Sequence, residues 1–244
     1  MRHLDPRSLV LYVLAVLVMM GCAEDVPVLE MPVSGAWRVV PSPGHADFAY
    51  DLAAVEHPGS GTFSRSRVWQ LVGRLSARDS HSWERPVRAP INGTVIRVAD
   101  GWPDRTHLNL FRDLWRLLTA GRPETTADLR PFAGNHLILE GDGFYVLLAH
   151  LREGSLAVGA GDSVSVGDPL ARVGNSGSSL EPHLHLQLLE DPEDVTSPAA
   201  PAFVIRRYEQ WFDDDWVPAS YRPLRKGTHV RVRHEGMEAA EAGR

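Results

Sequence analysis

The feature that most constrains this chain is the stretch Pro182-His183-Leu184-His185-Leu186-Gln187-Leu188. Apolar and polar residues alternate with period two, the pattern of a half-buried strand and not of a helix. On a strand, residues i and i+2 share a face. His183 and His185 therefore project side by side, with Leu184, Leu186 and Leu188 behind them. Two imidazoles held about 7 Å apart on a stiff strand can serve one metal ion, one as ligand and one beside a bound water. Two surface histidines on an edge strand are the plainer alternative. The glycine-rich turn Gly174-Asn175-Ser176-Gly177 just before the pair favours metal chemistry.

The rest of the chain reads mainly as short strands. Phe48 to Leu52 alternates, with Phe48, Tyr50 and Leu52 on one face and Asp51 on the other. Val87 to Val98 holds an Asn92-Gly93 step between apolar runs, a strong hairpin signal. His136 to Glu140 and Phe144 to Leu151 predict a strand pair around Gly141-Asp142-Gly143. Ser163 to Val166 and Pro169 to Val173 predict two more strands. Phe203 to Trp211 and Thr228 to Val232 are placed to close the sheet. Two segments break the pattern. Leu108, Phe111, Leu114, Trp115 and Leu118 recur at helical spacing, stopped by Gly121 and Pro123. Val68, Trp69, Leu71, Val72 and Leu75 predict a shorter helix. Both read as insertions in a β frame, with their apolar stripes packed on the sheet.

The start of the chain carries its own signal. Arg2 and Arg7 precede an unbroken apolar run from Leu9 to Met20, too short to span a bilayer, which takes about 20 residues, but of signal-peptide length. Gly21-Cys22 follows, resembling a bacterial lipoprotein cleavage site, and Cys22 is the only cysteine. Ordinary cleavage after Ala23 is the alternative. Either way the chain is expected to be exported to the periplasm or cell envelope, with Cys22 as lipid anchor in the first case. The expected organisation is a leader over 1–22, a tether over 23–36, one domain over 37–234 and a disordered tail over 235–244. The net charge of −6 offers no basic face for phosphate, which argues against nucleic acid as a partner.

Histidines and one aspartate stand apart in sequence: His45 with Asp51, His150, and His183 with His185. Zinc takes imidazole and carboxylate ligands, and a catalytic site leaves one position for water. This set resembles the lysostaphin/LytM-like zinc endopeptidases, which cut peptide bonds in bacterial peptidoglycan. The resemblance runs from about Trp37 to Val230. It is strongest from Asn135 to Gln187, with Tyr145 to Leu151, Val158 to Gly167, Gly174 to Ser179 and Pro182 to His185 in the family's order. Ala89-Pro90 with Asn92 to Val95 looks like its early strand turn.

The resemblance implies a mainly β fold, an antiparallel, barrel-sandwich-hybrid-like groove domain with two short helical insertions. It implies Zn2+ held by His45, Asp51 and His185, with His150 and His183 as catalytic non-ligands and a peptidoglycan peptide as substrate. Five residues separate His45 from Asp51 where the family usually has three; Asp47 and His57 are the other side chains at hand. The competing readings are a catalytically inactive relative acting as a cell-wall-binding or hydrolase-activating module, and a carrier domain. Val158 to Leu170 resembles the glycine-punctuated strands of biotinyl or lipoyl carriers, but the sole lysine, Lys226, lies far from it. His136 is expected to be structural.

Overall fold

In a computed structural model, residues 26–41, 47–119, 129–194 and 200–233 are described. The fold is mainly β. The strands lining its centre are β2 (Gly35–Val40), β3 (Tyr50–Ala54), β6 (Gly93–Ala99), β8 (Asn135–Glu140), β9 (Tyr145–Leu151) and β12 (Leu184–Leu189). Short β1 (Val28–Leu29), β10 (Ser163–Val164), β13 (Val204–Phe212), β14 (Asp215–Arg222) and β15 (His229–Val232) extend it. The order across the large sheet is β1-β13-β15-β2-β3-β12-β9-β8-β6-β10, with β14 on β13. All its pairings are antiparallel except β1 with β13. Two smaller pairs stand beside it: β5 (Pro86–Arg88) with β11 (Pro169–Arg172), and β4 (Leu75–Ser76) with β7 (His107–Leu108). Helices are short: α1 (Val68–Leu71), α2 (Leu110–Thr119) and α3 (Arg130–Ala133). No helix among the described residues is long and apolar enough to cross a membrane.

Strand β12 shows how the alternation builds the domain. Leu184, Leu186 and Leu188 are fully buried on one face, in the main core with Leu52, Leu137, Leu139, Val146 and Leu148. Its other face carries His185, Gln187 and Leu189; Leu189 joins Ile138, Leu147 and Ala149 in a second cluster covered by Leu129 and Ala133. The same period that packs the core therefore sets a row of polar side chains on the opposite face. At the far side of the core, the Phe203 ring lies edge-on to Tyr50, 5.3 Å away at 81°. Phe203 is fully buried. Phe203→Ala is expected to cost about 3–5 kcal/mol of stability, read as a lower urea midpoint.

The pair β8–β9 forms as expected, and the predicted strands near 163 and 169 form as β10 and β11. Four points differ from the expectations. Asn92-Gly93 is not a hairpin turn: β5 pairs with β11, while β6 pairs with β8 and β10. Gly93 serves close approach instead, since a Cβ there would stand 2.2 Å from the Glu140 carbonyl oxygen. Asn92 Oδ1 accepts from the Val166 amide at 2.8 Å. Second, β14 was not foreseen. Its hairpin with β13 turns at Asp213 and Asp214, both at positive φ, as a two-residue turn of this kind demands.

Third, residues 29–36 are not a tether. Leu29, Met31 and Val33 alternate into the core, and Glu30 and Arg88 exchange backbone bonds with Pro90 and Pro32. The flanking acids and prolines concealed that period. Fourth, the helical stripes do not pack fully on the sheet. Phe111, Trp115 and Val72 are 68%, 69% and 62% exposed. Among the described side chains of α2 the buried one is Asp113, whose Oδ2 accepts from the Asn109 amide at 2.8 Å. The leader over 1–22 and the tail over 235–244 lie outside the described residues.

Candidate functional site

The β3–β12 ladder places His185 directly opposite Asp51. Directly opposed residues share a face, so two side chains 134 positions apart meet. His185 Nδ1 lies 2.8 Å from Asp51 Oδ1, and its Nε2 lies 3.1 Å from Gln187 Oε1. His183, two residues earlier on the same face, brings Nε2 to 3.4 Å from the same Asp51 oxygen. Its Nδ1 donates to the Glu181 carbonyl at 2.8 Å and lies 3.0 Å from Ser179 Oγ, whose own hydroxyl donates to Glu181 O at 2.6 Å.

His150 reaches the cluster by a different device. Ala149 is the β9 residue paired with His185. Strict alternation would send its neighbour His150 to the opposite face. His150 instead has φ +60, in the left-handed region that non-glycine residues seldom occupy. The turned backbone puts its ring 4.7 Å from that of His183 and 6.0 Å from that of His185, centre to centre. Its Nδ1 donates to the Ser176 carbonyl at 3.0 Å. A conformation of this kind costs on the order of 1–3 kcal/mol and persists where the surroundings hold it.

All four side chains are buried, with exposures of 4% to 9%. Burial alone would raise the Asp51 carboxyl; the imidazoles of His183 and His185 outweigh it and hold the group well below its ordinary value. Burial pulls His150 well below the usual imidazole value, and the neighbouring His183 and His185 add to this. For His183 burial also acts downward, but the Asp51 carboxylate outweighs it and the pKa is raised. The site thus separates the two histidines whose Nδ1 donates to a carbonyl: burial favours the neutral ring at His150, whereas Asp51 favours the protonated ring at His183.

The donor chemistry bears on a metal. Both ring nitrogens of His185 face oxygen acceptors, Asp51 Oδ1 and Gln187 Oε1. A neutral imidazole has one proton. With that proton on Nε2 toward Gln187, the Nδ1 lone pair and the carboxylate converge, and a cation between them satisfies both. His150 and His183 carry the opposite tautomer, Nδ1–H on a backbone carbonyl and Nε2 toward the site. Asp51 and His185 therefore fit two positions of a zinc ligand set. Among the described residues, no group of three or more His, Cys, Asp or Glu forms a complete metal cage. The third expected ligand, His45, lies outside the described residues. Asp47 and His57 are exposed.

The structure brings Asp51, His150, His183 and His185 together. His136 is buried, with Nδ1 2.9 Å from the Gly134 carbonyl. Sequence reasoning missed Gln187, Glu181, Ser179 and Ser176. Gln187 had a readable signal, since it follows His185 by two on the same strand face. The carbonyls of Ser176 and Glu181 had none, because any residue supplies one.

Residues 119–197 match the model of Peptidase family M23. No curated protein matches the chain. Among solved structures the chain is similar to a candidate M23 peptidase from Pseudomonas aeruginosa at 18% identity, covering 75% of this chain and 57% of that one, TM-score 0.37. A zinc-containing peptidase from Vibrio cholerae aligns at 21% identity over 67% of this chain and 37% of that one, TM-score 0.35. The lysostaphin catalytic domain from Staphylococcus simulans aligns at 17% over 69% and 79%, TM-score 0.33. The chain thus spans little more than half the length of the first of these and about a third of the second. The family match encloses His150, the loop from Gly174 to Ser179 and the pair His183 and His185, so the segment that carries these residues is similar to Peptidase family M23.

Proposed function

We propose that this protein is an exported zinc metalloendopeptidase that hydrolyses peptide cross-links of bacterial peptidoglycan. The observation that carries the reading is the division of tautomers: His185 turns Nδ1 to Asp51, whereas His150 and His183 turn Nε2 into the same space. His45, Asp51 and His185 would hold the ion. Zinc bound there would supply Lewis acidity, which would lower the pKa of water at the site toward about 7.

The chain's own groups do the rest. His150, kept neutral by burial, accepts a proton at Nε2. His183, whose pKa the Asp51 carboxylate raises, would donate from Nε2 to the oxygen that gains charge at the attacked carbonyl. The Ser176 and Glu181 carbonyls hold both rings in those tautomers, so little reorganisation is needed during reaction. The same reading takes Leu9 to Met20 as an export signal and Cys22 as the lipidated residue.

Purified protein is expected to release cross-link fragments from peptidoglycan, identified by mass. A chelator should stop release, and added zinc should restore it. Fragment release that persists at full rate after metal removal would sink the reading. A chain that binds zinc yet releases no fragment would instead point to the wall-binding or activating module.

A further inference from the structure

The two insertions between the central strands meet each other. β4 of the first pairs with β7 of the second, Leu75 opposite Leu108, and Phe63, Leu75 and Leu108 close a small buried cluster over the joint. They form one appendage beside the site. From it, polar side chains reach back to the two loops whose carbonyls hold the histidines.

On one side, Asp104 takes two backbone amides. Its Oδ1 accepts from Asn175 N at 2.6 Å and its Oδ2 from Glu153 N at 2.8 Å. Asn175 is gripped again by Arg105: its Nδ2 donates to Arg105 O at 2.8 Å, and its carbonyl accepts from Arg105 N at 3.2 Å. Trp102 exchanges two bonds with Asn135, whose amide donates to Ser176 Oγ at 2.9 Å. The next residue after Asn175 is Ser176, the acceptor for His150 Nδ1. Asp104 thus ties the chain just after His150 to the chain just before that acceptor.

On the other side, Thr62 Oγ1 donates to Glu181 Oε2 at 3.1 Å, and Arg67 Nη2 meets the same oxygen at 3.1 Å. Thr62 is buried. The carbonyl of Glu181 is the acceptor for His183 Nδ1. The second insertion therefore stands one residue away from the carbonyl that orients His150, and the first grips the very residue whose carbonyl orients His183.

We propose that the paired insertions are a brace that sets the orientation of the two non-ligand histidines, with Asp104 as the positioning residue for His150 and Thr62 with Arg67 for His183. It rests on the assignment of those histidines as catalytic. A misplacement of about 1 Å at a reacting group can cost about 100-fold in rate, so braces of this kind act on turnover and not on ligand capture.

The test uses the full chain loaded with zinc and two variants, Asp104→Ala and Thr62→Val/Arg67→Gln. In 15N-histidine NMR, Asp104→Ala is expected to lose the uniform Nδ1–H tautomer of His150 while His183 keeps its own. The double variant should show the reverse. With peptidoglycan fragments as substrate, each should lower kcat about 10- to 100-fold, with KM within twofold and zinc content unchanged. Asp104→Asn, which keeps one acceptor oxygen, should recover part of the tautomer signal and serves if Asp104→Ala does not fold. Unchanged tautomers in all variants, or a rise in KM alone, overturns the brace. The NMR readout needs no hydrolysis: if the wild type cuts nothing but the tautomers respond as stated, the brace stands and the peptidase reading fails.

Discussion

His185→Ala is expected to abolish zinc retention and peptidoglycan hydrolysis together, whereas His183→Ala should keep the metal and lose about 10²- to 10⁴-fold in rate. The two residues sit two positions apart on one strand face, so their separation by phenotype is a sharp demand. It follows from which ring nitrogen each one turns to Asp51. His185 presents Nδ1 at 2.8 Å, with Nε2 engaged by Gln187, leaving a lone pair for an ion. His183 presents Nε2 at 3.4 Å with its Nδ1–H on a carbonyl, the arrangement of a proton donor beside the reaction. Metal content of the purified variants by mass spectrometry, set against fragment release, decides the matter. Equal zinc loss in both would mean that His183 is a ligand, and the assignment of roles would be reversed or shared.

The second large effect is on stability. Gly134 ends α3 with φ 63 and ψ −145, a region essentially reserved for glycine. A Cβ there would stand 2.3 Å from Ser176 Oγ, 2.5 Å from Ser176 C and 2.7 Å from Gly177 N. Two of these are backbone atoms, which cannot rotate away. Backbone strain of about 1–3 kcal/mol and overpacking of about 1–3 kcal/mol act together. Gly134→Ala is therefore expected to lose about 2–6 kcal/mol, a large share of the 5–15 kcal/mol typical of a domain. Chemical denaturation measures it. Activity should fall as well, because Ser176 is displaced and its carbonyl holds His150. A variant within 1 kcal/mol of wild type would show that the α3 turn relaxes cheaply.

These three residues illustrate what could be read early. The His-Leu-His strand was legible because period two is a property of neighbouring residues, and it placed both imidazoles on one face and three leucines on the other. The hairpin at Gly141–Gly143 was legible for the same reason. Gly134 gave no signal, since its need for glycine arises from Ser176 and Gly177, over 40 positions away. Asn92-Gly93 gave a misleading one: Gly93 is wanted for contact with the Glu140 backbone, and a glycine's two uses look alike in a sequence. The amphipathic pattern of α2 located a helix but not the exposure of Phe111, Leu114 and Trp115, which face solvent.

The strand carrying His183 and His185 and the mainly β frame could be read from the chain alone, because each rests on the local period of neighbouring residues. Tertiary structure alone decided that Asp51 lies opposite His185, since strand register is a long-range choice. It alone decided that His150 joins them: alternation from Ala149 points that ring away, and only a backbone turned to φ +60 brings it back. The same holds for the carbonyls that divide the tautomers and for the insertions that grip them. Hydrogen bonds between distant segments leave no mark on either segment taken alone.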